Sequence, residues 1–452
     1  MNVFVEKCDA YQQEQVDHAV EKWTGLFQEN IAPGNTVVLK PNWLAHSHKY
    51  NPDEWLSVIT HPTVITAVLK LVLKALNGKG KVIITDAPQT DSTWVKIMGR
   101  MQPELWKELG RKAGIVVEVL DLREDEWINE GDVTVSRKKL PGDPLGSTEC
   151  DLGQNSEFVG HSVSKKGYYG ADYDKSETNR AHSNGHHKYR VSRTVVEADV
   201  FVNIPKMKTH KKAGITCSLK NLVGINTYKN YLPHHNEGTR DEGGDQFPGA
   251  KLKNKTELML IEKFKSILHK YPESGKLFVP VKKLGKKLFG DTRETIRSGN
   301  WYGNDTLWRM VLDLNKVLMY SEPSGELRAD ALEKRKKYIS VVDGIIAGEG
   351  NGPEAPDPIQ CGALIAGTNP VAVDAMCAKL MGLDWHKIPS IKNAFDIQKY
   401  PLCDFTYDEL VARSSVAAYN TMLDKISADD CFQFRPHFGW AGWLECNQKG
   451  VA

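Results

Sequence analysis

The chain has 452 residues, with 59 Lys+Arg against 57 Asp+Glu for a formal net charge of +2, and is 40% hydrophobic and 26% charged. That length allows a large buried core and predicts two or three domains, and the composition excludes a disordered, collagen-like or disulfide-scaffold chain. Near-neutrality removes the whole-protein basic field that would draw nucleic acid, so no nucleic-acid partner is expected.

The N-terminus, Met1-Asn2-Val3-Phe4-Val5-Glu6-Lys7, has neither the basic start nor the apolar run of a signal peptide. The longest apolar stretch, Val64 to Leu76, is broken by Lys70 and Lys74, so no transmembrane segment is expected. The eight cysteines are scattered without a Cys-x-x-Cys pair. Reduced thiols in the cytoplasm and no iron–sulfur cluster are therefore the expectation.

In chain order, short β-branched runs occur at Val3–Val5, Thr36–Leu39, Lys81–Thr85, Ile115–Leu120, Ala198–Ile204 and Tyr338–Val342. Near-continuous apolar runs suit strands covered on both faces. After the second run, Pro62 opens a helix in which Val64, Val68, Leu71 and Ala75 trace one face, and Asn77-Gly78 ends it. Asp305 is a candidate cap for a later helix carrying Trp308, Leu312 and Asn315. Strand–helix–strand alternation predicts an α/β fold: a mostly parallel sheet flanked by helices, with two insertions and a C-terminal extension. The core is expected over 1–400, with insertions near 126–190, read as short strands and loops, and 231–300. Residues 401–452 are expected to pack on it. Residues 251–300 hold 13 Lys+Arg against 5 Asp+Glu, and Leu277, Val281, Leu284 and Leu288 recur there at helical spacing. A covering helix with a solvated basic face is the reading, with peripheral membrane contact through 276–289 as the alternative.

In open α/β sheets, ligands sit at the carboxyl ends of the strands. The second strand delivers Lys40-Pro41-Asn42, the third delivers Asp86, and the fifth delivers Lys206, Lys208 and His210. The last delivers Asp343, then Glu349 and Asn351 within a glycine-rich stretch, Gly348 to Pro353, read as a ligand-covering turn. Lysines crowded at a partly apolar segment repel one another, and a bound anion relieves that cost. Lys40, Asn42, Asp86, Lys208, Thr216, Asn221, Asp343, Glu349 and Asn351 are the candidate substrate- or anion-binding residues. Lys206, His210 and Lys220 are the catalytic candidates, since crowding by cations lowers a lysine pKa toward the range useful for proton transfer. Seven of the fourteen histidines fall between His161 and His235, but Asn184 and Gly185 break the helix that would put His182 and His186 on one face. The cofactor stays unassigned, with a divalent ion one option for Asp86, Asp343 and Glu349.

Lys40-Pro41-Asn42, Asn203 to His210, Ser218 to Gly224, Asp343 to Pro353 and Asn369 to Asp374 resemble the motifs of the domain-of-unknown-function 362 family. Many members carry a ferredoxin-like Cys-x-x-Cys segment that this sequence lacks. The stretch from Asp199 through His210 and Gly214 to Lys220 is also distantly similar to the lactate racemase family, which uses a nickel-pincer nucleotide. That similarity implies His210 as the proton-transfer residue and Lys220 as a covalent or anion-binding lysine.

The expected function is that of a cytosolic enzyme acting on an anionic small molecule, phosphorylated or carboxylated, by a reaction the sequence does not name. The alternatives are a non-catalytic anion- or membrane-surface-binding protein and a cofactor-dependent racemase or isomerase.

Overall fold

The computed structural model describes residues 1–130, 133–172, 174–249 and 295–446. The basic stretch at 276–289 and its proposed membrane contact lie outside the described residues. Ten strands form one mixed sheet: β1 (Asn2–Lys7), β2 (Thr36–Pro41), β3 (Lys81–Asp86), β4 (Val116–Asp121), β5 (Val200–Ile204), β6 (Lys206–His210), β7 (Gly214–Thr216), β8 (Lys337–Asn351), β9 (Ala355–Gly367) and β10 (Val411–Ser414). The order is β10-β1-β9-β8-β5-β2-β3-β4, with β6 joined to β8 and β7 to β6. The run β8-β5-β2-β3-β4 is parallel throughout. Antiparallel pairs occur where β9 meets β8 and β1 and where β7 meets β6. The α/β class with a mostly parallel sheet is the architecture that the alternation of runs predicts.

The strands are apolar on both faces because both faces are covered. Val37 and Leu39, Val82 and Ile84, and Val200 and Val202 point to one hydrophobic layer, with helix α1 (Pro62–Leu76) packed on it. Their neighbours Val38, Ile83 and Phe201 point to the other layer. That second layer holds the short helix α2 (Ser218–Asn221) and the longer α3 (Leu307–Tyr320) and α4 (Pro370–Leu380). The two-residue period of a strand accounts for the split. In α1 only Lys70 and Lys74 escape burial, so a stripe that the spacing assigns to one face is instead enclosed nearly all round. Its N-terminus is closed by His61, whose Nδ1 accepts the Thr63 N–H at 3.2 Å, and its end by left-handed Asn77.

Two features carry the site. First, β5 and β6 form one line along β8, interrupted at Pro205, which cannot donate to a ladder. Beyond Pro205 the chain runs past the carboxyl ends of β2 and β5 and continues beside the projecting β8–β9 hairpin. Second, Gly348 to Asn351 belong to strand β8, so the glycine-rich stretch forms hairpin arm and tip rather than a loop over a ligand. A Cβ at Gly352 would lie 2.0 Å from the Thr209 carbonyl oxygen, so that glycine serves close approach of two backbones.

Candidate functional site

Strand alternation puts Lys206, Lys208 and His210 on one side of β6, and the fold treats each differently. Lys206 is fully buried and forms an ion pair with Asp343 at 2.6 Å. It also donates to the Tyr11 hydroxyl at 2.8 Å and to the Ile346 carbonyl at 3.1 Å. Asp343 in turn accepts the Tyr11 hydroxyl at 2.8 Å and the His61 N–H at 2.9 Å. The His61 ring stacks on Tyr11 at 3.8 Å and faces Trp55 at 5.3 Å, and burial pushes its pKa down to about 4. All three Lys206 donors are engaged, so this ammonium ties β6 to β8 and to the N-terminal segment.

A second buried ion pair sits at the ends of β2 and β3, where Lys40 meets Asp86 at 2.8 Å. Lys40 also donates to Asn221 Oδ1 at 3.2 Å, and Asn221 donates to Asn203 at 2.7 Å, joining α2 to β5. Asp86 accepts the Trp43 and Ala87 amides at 2.7 and 2.9 Å. Gly224 allows this approach, since a Cβ there would lie 1.9 Å from Asp86 Oδ1 and 2.6 Å from Lys40 Nζ. Asn42 caps the same turn, with Oδ1 accepting the Leu44 N–H at 3.3 Å.

The third group of cations has no such carboxylates. Lys208 is fully buried and donates to the Val58 and Pro353 carbonyls at 2.5 and 3.2 Å. Lys229 donates to the Ala87 and Val223 carbonyls at 2.8 and 3.1 Å. Lys220, on α2, keeps part of its surface open and has no hydrogen-bond or ion-pair partner among the described residues. Desolvation, then the charges of Lys229, Lys40 and Lys211, push its pKa down to about 7. Burial likewise pushes Lys229 down to about 8 and Lys208 well below the ordinary lysine value. The carboxylate on this side is Glu354, which pairs with Lys211 at 3.2 Å and Lys49 at 3.5 Å and is held far below the usual carboxylate range. Thr216, opposite Lys208 in the ladder, has a buried hydroxyl without a partner among the described residues.

Two histidines share this electropositive surrounding. The Lys212 and Ala213 amides both donate to His210 Nδ1 at 3.0 Å, so the ring is neutral and carries its hydrogen on Nε2. His234 is fixed the other way: its Nδ1–H donates to the Leu232 carbonyl at 2.9 Å, leaving the lone pair on Nε2. Burial and then nearby lysines, Lys220 for His210 and Lys212 for His234, drive both pKa values well below the ordinary one.

The structure thus gathers Lys40, Asp86, Lys208, His210, Thr216, Lys220 and Asn221 at the strand ends. Lys206 and Asp343 are sealed into their own network beside them. Glu349 lies on the hairpin arm, bound to the Arg435 guanidinium at 2.9 Å, and Asn351 lies near the tip of the same arm. His182 and His187 sit apart, 3.3 Å from each other and packed around Phe158. Sequence reasoning did not single out Tyr11, His61, Lys229, His234 or Glu354 as site residues. It also missed the C-terminal segment, where Trp440 Nε1–H donates to the Lys211 carbonyl at 2.9 Å. The His234-His235 doublet beside the lysine segment was the available signal for one of them; the others become neighbours only through the fold.

Among the described residues, no group of three or more His, Cys, Asp or Glu side chains stands ready to hold a metal ion, and no helix is long and apolar enough to cross a membrane. The family model described as "Domain of unknown function (DUF362)" matches residues 37–144 and 157–379. A thylakoid-associated protein of Synechocystis sp. is 24% identical over 202 residues, which is 45% of this chain and 38% of that protein. The chain therefore spans well under half the length of that curated relative. The lactate racemase apoprotein from Thermoanaerobacterium thermosaccharolyticum aligns with 84% of this chain and 57% of its own, at 12% identity and a TM-score of 0.32. A likeness that shallow carries nothing about chemistry.

Proposed function

We propose, from the premise that the chain belongs to the domain-of-unknown-function 362 family, that it is an enzyme whose site holds a small anionic substrate, a carboxylate or phosphate, against Lys220. The observation that carries this reading is Lys220 itself, a cation without a counter-charge among other cations. Leaving such a group half-enclosed costs stability unless a ligand supplies the missing charge. The orphan Thr216 hydroxyl and the His210 Nε2–H are further donors for the same anion. Two neutral imidazoles of opposite tautomer, one presenting N–H and the other a lone pair, suit proton transfer on a substrate so held. Lys206, Lys40, Asp86 and Asp343 are the frame that keeps these groups in place. Eight free thiols support a reducing, cytoplasmic setting.

The test is native mass spectrometry of the purified chain, followed by calorimetric titration with orthophosphate and with acetate. A co-purifying small anion, or saturable binding of either probe that Lys220→Met weakens at least about tenfold, is the expected result. Unchanged affinity in Lys220→Met would remove the basis of this reading.

A further inference from the structure

A cavity of about 530 Å³, lined by none of the residues of the lysine cluster, lies between residues 236–245, residues 302–309 at the start of α3, residues 386–393 and the C-terminal segment. Its size is in the range of small-molecule sites. On its wall Tyr302 and Trp443 stack at 4.7 Å with 14° between their planes, yet 41% and 43% of their surfaces stay exposed. Lys387 Nζ lies 5.9 Å from the Trp443 ring centroid, and the aromatic surface that stays exposed in the concavity can receive another ring.

The charges around that platform are unbalanced. Asp245 is buried and satisfied by the Thr306 hydroxyl at 2.6 Å and by the Asn236 and Asp305 amides at 2.7 and 2.9 Å. Asp305 is engaged by Arg309 at 3.0 Å, His161 at 3.4 Å and the Trp308 indole N–H at 2.8 Å. Both acids thus have their oxygens engaged, Asp305 by a cation and Asp245 by neutral donors. Arg240 and Lys392 also line the cavity and have no carboxylate or hydrogen-bond partner among the described residues; the Arg240 guanidinium has only the Trp301 ring, 5.4 Å away.

The geometry points to a second binding site, independent of the lysine cluster, for a ligand that joins a planar aromatic ring to an anionic group. The ring stacks on the Trp443–Tyr302 platform, and the anionic group, a phosphate or a carboxylate, is drawn by Arg240 and Lys392.

Calorimetric titration of the full chain tests this with four probes: adenosine monophosphate, indole-3-acetate, adenosine and orthophosphate. One of the two aromatic anions is expected to saturate one site that persists in Lys220→Met, and which one does so separates a phosphate ligand from a carboxylate. Adenosine, and orthophosphate titrated into Lys220→Met so that the lysine cluster does not contribute, each lack half of the recognition and are expected to bind at least about tenfold more weakly. Trp443→Ala and Lys392→Gln change exposed side chains, and each is expected to weaken the aromatic anion about tenfold or more. Lys220→Met is expected to leave that binding unchanged. Failure of both aromatic anions to saturate below about 10 mM overturns the proposal. So does orthophosphate binding to Lys220→Met as tightly as the nucleotide does, because the ring would then contribute nothing. Loss of binding in Lys220→Met also overturns it, by moving the ligand to the lysine cluster.

Discussion

Lys206 and Lys220 belong to one lysine-rich stretch, yet the fold gives them opposite surroundings. Lys206 is sealed from water with Asp343 at 2.6 Å and two further acceptors, so its charge is fully answered by the protein. Lys220 is ringed by Lys229, Lys40 and Lys211 and answered by no described residue. The first arrangement fixes where strands lie, because a buried ion pair is costly to break once formed. The second leaves a charge that no described residue answers, the feature on which the proposed anion site rests. Burial of a lysine thus says little about its role until its partners are counted.

The contrast breaks most directly at Lys206. Lys206→Met strands a buried carboxylate and is expected to cost about 3–5 kcal/mol in urea denaturation, with most of it recovered when Asp343→Leu is added. A loss below about 1 kcal/mol in the single variant would erase the distinction between the two lysines. Gly224→Ala is expected to follow, at about 1–3 kcal/mol by the same measurement, because the added methyl enters the Lys40–Asp86 pair.

Lys220→Met sharpens the other side. It removes an unanswered charge, so stability at neutral pH is expected to hold or rise while anion affinity falls. The pH dependence has a definite sign. The folded pKa of Lys220 is about 7 against an ordinary 10.5, so between these values the unfolded chain binds more protons than the folded one. Stability therefore rises with pH across that window, and below it the penalty is fully present. Lys229 and Lys336, both pushed down to about 8, add to the same slope. The difference between wild type and Lys220→Met in denaturation curves from pH 6 to 10 isolates this residue, and the variant is expected to show the shallower rise. Anion affinity is expected to fall in the opposite sense as pH climbs through about 7, since the charged form is the one that binds. The smallest effect is expected at Arg435→Ala. Arg435 and Asp357 are substantially exposed and Glu349 is partly so, and loss of the two pairs is expected to change stability by about 0–1 kcal/mol.

Six of the ten strands were legible because two-sided burial writes itself as short β-branched runs, whereas β6, β7, β9 and β10 were not read as strands; the helix at 62–76 was legible because proline and an Asn-Gly pair mark its ends. The clustering of the lysine segment was legible through its charge density among apolar residues. The Gly348–Pro353 stretch was harder: glycines needed for backbone approach to Thr209 look the same in sequence as glycines needed around a ligand. His61, Tyr11 and Glu354 carried no local signal, because each gains its meaning from a side chain far along the chain.

Periodicity and composition are local properties, and they sufficed for the alternation of strands and helices and for the charged residues that follow β2, β3 and β5; Glu349, expected on the same rim, lies on the hairpin arm instead. Which lysine receives a carboxylate depends on the packing of distant segments. Lys206 meets Asp343 across a separation of 137 residues, whereas Lys220 meets other lysines. Electrostatic energy depends on distance and solvent access, and neither is fixed until β6, β8 and α2 are packed together.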